Sequence, residues 1–120
     1  MENRLQDIRV EHPRAGTAVV VFTGEHDAAT SERLEALLDS LVEENDLVVG
    51  DFSEAEFVDS ATIFALIKTY RAATLRGSAF RLQLGTEPIV KRAFQLSGVL
   101  EVLECFASRE EALRNGAARP

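Results

Sequence analysis

The sequence contains almost none of the residues around which enzyme and metal sites are built. It has one cysteine (Cys105), two histidines (His12 and His26) and no tryptophan. A single cysteine excludes an intramolecular disulfide, and the apolar run around Cys105 predicts a buried structural thiol. Neither histidine has zinc-ligand spacing, and no Gly-x-x-x-x-Gly-Lys-Ser/Thr nucleotide loop is present. We therefore predict no catalytic residue, metal or cofactor, and place both histidines in solvated loops.

Positive charge and long apolar runs are also scarce. The chain has 13 Lys and Arg residues and 20 Asp and Glu residues, which gives a formal net charge of −7. An acidic surface without a Lys/Arg cluster disfavours nucleic acid and anionic membranes, and it suits a basic protein partner. No apolar run approaches the ~20 residues that span a bilayer, and the N-terminus does not resemble a signal peptide. We expect a cytoplasmic protein without a membrane partner.

Length and periodicity predict one α/β domain over residues 1–120, with a frayed tail at about 116–120. The apolar pattern gives the order β-β-α-β-α-β-α-β-α, with an N-terminal hairpin and a last strand over residues 99–106. Alternating strands and helices imply right-handed crossovers. The expected fold is a mixed, mostly parallel sheet of four to five strands with about four helices packed against it.

Helical spacing predicts which residues pack against that sheet. The stripes are Leu34, Leu37, Leu38, Leu41 and Val42 in the first helix; Ile63, Phe64, Leu66, Ile67 and Tyr70 in the second; and Ile89, Val90, Ala93, Phe94 and Leu96 in the third. Short oxygen-bearing side chains predict the helix starts. These caps are Asp27 or Thr30 for the first helix, Thr86 for the third and Ser108 for the fourth.

The stretch over residues 47–70 organises the chain. An apolar run ends at Asp51, an acidic connection follows, and helical spacing begins at Ser60. Loops beyond the carboxyl ends of parallel strands are held by a rigid sheet yet open to solvent, so Asp59 and Ser60 are placed where a partner could bind. Local context also allows either residue to be an ordinary helix cap, which is the commoner role.

Three motifs together resemble the STAS domain of bacterial anti-sigma factor antagonists. The first is Phe22-Thr-Gly-Glu-His-Asp-Ala-Ala-Thr30, which is similar to the family's Gly-Glu-Leu-Asp segment. The second is Val48-Val-Gly-Asp-Phe-Ser-Glu-Ala-Glu-Phe-Val-Asp-Ser60, which resembles its strand, variable loop and Asp-Ser phosphorylation motif. The third is Pro88-Ile-Val-Lys-Arg-Ala-Phe-Gln-Leu-Ser-Gly98, which resembles its late helix. Their order and spacing cover about the whole domain.

The resemblance implies a non-enzymatic partner-switching regulator of sigma-dependent transcription. In this family, an anti-sigma factor that is a serine kinase of the histidine-kinase-like ATPase class binds the unmodified protein and releases the phosphorylated one. Carried over, Ser60 is the phosphoacceptor. The implied partner-binding residues are Gly24, Glu25, His26, Asp27, Asp59, Ser60, Ala61 and Thr62. We expect a monomer or weak dimer.

The chain departs from the family at two places. Asp59-Ser60-Ala61-Thr62-Ile63 stands where the family usually has Asp-Ser-Ser/Thr-Gly-Leu, and His26 replaces a leucine. Since the glycine leaves room beside the acceptor, we expect Thr62 to narrow the range of kinases.

Two alternatives stay open. One is a non-phosphorylated STAS subunit of a lipid-transport or stressosome-like assembly. The other is a receiver-like domain phosphorylated on Asp51 at a strand end.

Overall fold

A computed structural model describes residues 7–26 and 28–114, with side chains except those of residues 28–30. Its described part contains five strands and four helices in the predicted order. The strands are β1 (Ile8–Arg14), β2 (Thr17–His26), β3 (Leu47–Val58), β4 (Ala79–Gln83) and β5 (Glu104–Phe106). The helices are α1 (Ala28–Glu44), α2 (Ser60–Arg76), α3 (Pro88–Ser97) and α4 (Arg109–Leu113). The tail at 116–120 lies outside the described residues.

The strands form one sheet in the order β1-β2-β3-β4-β5. β1 and β2 pair antiparallel, as expected for the N-terminal hairpin, and the remaining neighbours pair parallel. Parallel neighbours need a crossover, and α1, α2 and α3 provide one each. The predicted mixed, mostly parallel α/β sheet is confirmed.

Helices cover both faces of the sheet unequally. Phe22, Phe52 and Phe94 pack in the main core between the sheet and the first three helices. The Phe22 and Phe52 rings stack with centroids 4.2 Å apart, and Phe94 meets Phe52 edge-on at 5.2 Å. The opposite face carries a smaller core beneath α4, formed by Val19, Val21, Leu47, Val49, Ala79 and Ala112. The β2 run is buried on both faces for this reason, as its apolar sequence predicts.

Several predicted boundaries shift. β3 continues through the residues predicted as an acidic connection and ends at Val58, and β2 continues to His26. The predicted last strand is split into a 3₁₀ turn (Val99–Glu101) and the three-residue β5. The second half of β3 resembles a loop in the sequence, because its exposed residues come in pairs rather than in alternation and three of the four are polar.

Helix starts agree in part with the predicted caps. Ser108 caps α4, with its side chain accepting from the Glu111 amide. Thr86 does not cap α3, which begins after Glu87 with Pro88 in its first turn. Thr30 lies inside α1 and is not its cap, whereas Asp27 lies outside the described residues. α2 and α3 end at Gly77 and Gly98, both with φ of +81° in the left-handed region that glycine adopts readily.

Some residues assigned to the packing stripes are exposed. Phe64 is 68% exposed, Ile89 59% and Leu96 75%. α2 instead buries Thr62, Ile63, Ala65, Leu66, Thr69 and Ala73. Phe64 lies on the opposite side of the helix from these buried positions and therefore points outward. No helix in the described part of the chain combines the length and apolarity needed to cross a bilayer.

Candidate functional site

The ends of β2 and β3 lie side by side and bring the two sequence-predicted segments together. Glu25 pairs with Phe57 and His26 with Val58 in the parallel register. The Asp59 amide then donates to the His26 carbonyl at 3.1 Å, which carries the pairing up to the start of α2. The register of the pair shifts twice near this end, so that β3 contains extra residues there relative to β2. Such irregularities bend a strand and are common beside functional sites.

Asp59, not Ser60, caps α2. Asp59 has an extended backbone and its Oδ1 accepts from the Thr62 amide at 3.1 Å. Ser60 is the first helical residue, is exposed, and makes no side-chain hydrogen bond to the described residues. Amides at a helix N-terminus face outward and favour an anion. The hydroxyl of Ser60 is therefore accessible to solvent at the N-terminus of α2.

His26 is buried rather than solvated, contrary to the sequence prediction. It is 1% exposed, its Nε2 donates to the Thr23 carbonyl at 2.9 Å, and its ring meets Phe22 edge-on with centroids 5.1 Å apart. The continuation of β2 to residue 26 explains the burial, because an inward-facing strand position replaces a loop. His26 can support the neighbouring backbone but offers little side chain to a partner.

Thr62 is buried as well, at 0% exposure. Its hydroxyl has no hydrogen-bond partner in the described part of the chain. The Thr62 side chain therefore points into the protein, and the expectation that Thr62 narrows the range of kinases stays a prediction. Ala61 and Gly24 are half-buried, and Glu25 is exposed. Asp27 lies outside the described residues.

Acidic residues lie on the strand ends that precede Ser60. Glu25 and Glu56 are exposed and Asp59 is half-buried. Glu54 is ion-paired with Arg9 at 3.2 Å, whereas Glu56 has no ion pair to a described residue. This end of the molecule is therefore negative, which favours a partner with basic groups around its binding cleft.

An ion-pair network that the sequence did not reveal lies on the α4 face of the sheet. Arg109 bridges Glu11 on β1 and Asp51 on β3, with the Asp51 contact at 3.1 Å. Hydrogen bonds from Arg9 and Arg109 lower the pKa of Glu11. Asp51 is 2% exposed and also accepts from the amide and hydroxyl of Ser53. Because it is buried and engaged, Asp51 is not available as a phosphoacceptor, and the receiver-like alternative fails.

An open cleft of about 350 Å³ lies at the carboxyl ends of β4 and β5. It is lined by Leu84, Gly85, Lys91, Leu100, Cys105, Phe106 and Ala107. Cys105 is half-buried, and desolvation raises its pKa to about 11. A thiol with so high a pKa is a poor nucleophile near neutral pH. In the residues that the structure describes, no group of three or more His, Cys, Asp or Glu is placed to hold a metal ion.

Sequence reasoning missed two exposed aromatic side chains near Ser60. Phe57 is 44% exposed at the end of β3, and Phe64 follows Ser60 by one helical turn. A helix position four residues from the exposed Ser60 and four before Lys68 shares their face. That spacing predicts an exposed position for Phe64, whereas its apolar character predicts burial.

The mostly parallel sheet, the capped α2 and the exposed serine at its start define an α/β domain with a serine-bearing surface. Residues 9–112 match the model of the STAS domain family. The chain therefore belongs to the STAS domain family, as its three motifs predict.

Solved structures of similar proteins share this fold. SpoIIAA, an anti-sigma factor antagonist, in its unphosphorylated form gives a TM-score of 0.77 at 21% identity, over 94% of this chain and 98% of that one. An anti-sigma factor antagonist from Mycobacterium paratuberculosis gives 0.74 at 24% identity, over 91% and 92%. A sulfate transporter family protein from Wolinella succinogenes gives 0.74 at 18% identity, over 90% of each chain. These likenesses establish the fold, which serves more than one function.

Proposed function

We propose that this protein is an anti-sigma factor antagonist that binds a kinase-type anti-sigma factor and is released when Ser60 is phosphorylated. The main observation in support of the proposal is that Asp59 and Ser60 have different roles at the start of α2. Asp59 satisfies the first-turn amide, so the exposed Ser60 hydroxyl is not used for capping. Family membership and the SpoIIAA-like fold support the regulatory role.

The surface that we assign to the partner is called the docking face. It consists of Gly24, Glu25, Asp59, Ser60 and Ala61. His26 and Thr62 lie beneath it and hold its backbone, since both side chains are buried. Asp27 completes the segment in the sequence but lies outside the described residues. A face formed on one strand end and one helix start is rigid, which limits the entropy lost on binding.

Phosphoryl transfer at this face would be catalysed by the partner. The Ser60 oxygen attacks the γ-phosphorus of ATP bound to the kinase, its proton passes to a base of the kinase, and the bond to the ADP oxygen breaks. The product carries about −1.5 to −2 added charge on Ser60. That charge faces the phosphates of the bound ADP and lies beside Asp59. Like-charge repulsion then favours dissociation, which supplies the switch.

A phosphorylation assay with mass spectrometry tests the proposal. Each purified histidine-kinase-like anti-sigma factor of the source organism is incubated with ATP and this protein. We expect one phosphate on Ser60 from the cognate kinase and none on Ser60→Ala. Ser40→Ala is the matched control, because Ser40 is an exposed helical serine on α1 and its loss should change nothing. Phosphate on the Ser60→Ala variant, or none with any kinase, would contradict the proposal.

Binding affinity separates the switch from a constitutive contact. Ser60→Asp places negative charge where the phosphate would lie, so we expect it to bind the cognate anti-sigma factor more weakly than wild type. Equal affinity would show that charge at Ser60 does not control release.

A second candidate is a STAS subunit of a transporter or stressosome-like assembly that Ser60 phosphorylation does not regulate. The likeness to the Wolinella succinogenes sulfate transporter family protein favours it, as does the loss of the second hydroxyl at Ala61. Neighbouring genes for a sigma factor or its kinase would support the first function, and transporter genes the second.

A further inference from the structure

Phe64 presents an aromatic ring to solvent on the same helix face as Ser60. The ring is 68% exposed, which leaves a large apolar surface of α2 in contact with solvent. Residues four apart on a helix lie about one turn above each other, so the Phe64 ring is adjacent to the Ser60 hydroxyl along α2. The next residue on this face, Lys68, pairs with Glu35 of α1 at 3.6 Å. Phe64 therefore lies between the docking face and the α1 side of the helix.

A second exposed ring and exposed acids lie on the strand ends that precede α2. Phe57 is 44% exposed and pairs in register with Glu25 across β2 and β3. Glu56 precedes it and is also exposed. Large aromatic side chains are enriched at the centre of interfaces, while charged residues at the rim set specificity and the association rate. An exposed ring on α2 of a net acidic protein therefore fits a protein interface.

We propose that Phe64 is the anchor by which this protein recognises its own anti-sigma factor, inserting into an apolar pocket that is rimmed by Lys or Arg. This inference rests on the proposed function and adds a determinant of partner choice. The pocket would lie one helical turn from the kinase site that receives Ser60. Asp59 at the start of α2 and the formal net charge of −7 favour basic groups around that pocket, while the Ser60 hydroxyl faces the nucleotide.

Charge argues against a second copy of this chain as the occupant. A symmetric contact through Phe64 would bring the acids around Ser60 on one copy towards the same acids on the other. With a net charge of −7 and Glu56 without a described ion-pair partner, such a contact is repulsive. A partner with basic groups around an apolar pocket would accommodate both the exposed Phe64 ring and the acidic charge.

Isothermal titration with the cognate kinase-type anti-sigma factor and ADP tests the anchor. We expect Phe64→Ala to weaken binding by about 30-fold or more, because removal of an interface anchor typically has an effect of that size. The matched control is Leu75→Ala, since Leu75 is 88% exposed on the same helix but lies almost three turns further on. We expect that variant to bind within about twofold of wild type. Circular dichroism should show both variants folded, because exposed side chains contribute little to stability.

The outcomes distinguish the two proposals. If wild type binds no kinase-type anti-sigma factor, the proposed function fails and the anchor fails with it. If wild type binds and Phe64→Ala binds equally well, the anchor alone is overturned while the proposed function stands. Sedimentation of wild type as a dimer that Phe64→Ala converts to a monomer would also overturn it, because the ring would then serve self-association.

Discussion

The Oδ1 atom of Asp59 accepts a hydrogen bond from the backbone amide of Thr62 at 3.1 Å. This bond closes the first turn of α2 and leaves the intervening Ser60 side chain directed outward. The same turn buries the Thr62 side chain completely. This contact fixes the start of α2, and the packing of α2 in the fold then leaves Ser60 exposed and Thr62 buried.

Removing the cap should destabilise the protein without removing the acceptor. We expect Asp59→Ala to lower the free energy of unfolding by about 1 kcal/mol, because the Thr62 amide loses its partner. Asp59→Asn is the control, since asparagine caps as well as aspartate while the charge is lost. Urea unfolding measures both. Equal loss in the two variants would mean that the Asp59 charge, rather than the cap, stabilises the fold.

Thr62 offers a stabilising substitution. Its buried hydroxyl has no partner among the described residues, and an unsatisfied buried polar group costs about 1–3 kcal/mol. We expect Thr62→Val, which keeps the shape, to raise the free energy of unfolding by about 1 kcal/mol. Thr62→Gly, which restores the usual family residue, should lower it through lost packing and backbone freedom. A thermal melt of the three proteins in one buffer decides the order, and destabilisation by valine would reveal a hidden partner of the hydroxyl.

Arg109 should contribute more to stability than the other arginine that binds Glu11. It contacts Asp51, whose side chain is only 3% exposed, so Arg109→Ala leaves a buried carboxylate with Ser53 alone. We expect a loss of about 2 kcal/mol, below the value for a fully buried pair because Arg109 is partly exposed. Arg9→Ala is the control and should destabilise much less than Arg109→Ala, since Arg9 is exposed and its ion pairs are screened by solvent.

A double mutant identifies the cause of that loss. Adding Asp51→Asn to Arg109→Ala removes the unpaired charge and should recover part of the stability. If the double mutant is less stable than Arg109→Ala alone, the unpaired charge on Asp51 does not cause the stability loss of Arg109→Ala.

Acid should weaken the fold in part through Glu11. Hydrogen bonds from Arg9 and Arg109 lower its pKa below the ordinary 4.5 in the folded protein. A group whose pKa is lowered by folding stabilises above its unfolded pKa, and this contribution is lost as the pH falls through the folded value. Urea midpoints measured from neutral pH down to about pH 3 should therefore fall less steeply for Glu11→Gln than for wild type. Glu44→Gln, an exposed acid without a described ion pair, should keep the wild-type slope.

Apolar periodicity predicted the element order, the hairpin, the parallel sheet and the α1 stripe, because those elements bury one consistent face or both. Apolar periodicity gave wrong predictions where an apolar residue is exposed or where a polar stretch forms a strand. Phe64 and Leu96 are apolar yet exposed, and the end of β3 is polar yet paired as a strand. The His26 error has the same origin, since the extension of β2 converts a loop position into an inward-facing one.

The sequence by itself determined the family and the position of Ser60, since both depend on residue types at fixed spacing along the chain. The tertiary structure alone decided that Asp59 forms the cap, that His26 and Thr62 lie beneath the docking face, and that Phe64 lies on the surface. It also brought Arg109 to Glu11 and Asp51 across widely separated positions. The physical reason is that the exposure of a side chain and its ion pairs depend on which elements pack over it. The spacing of residues along the chain does not specify those neighbours.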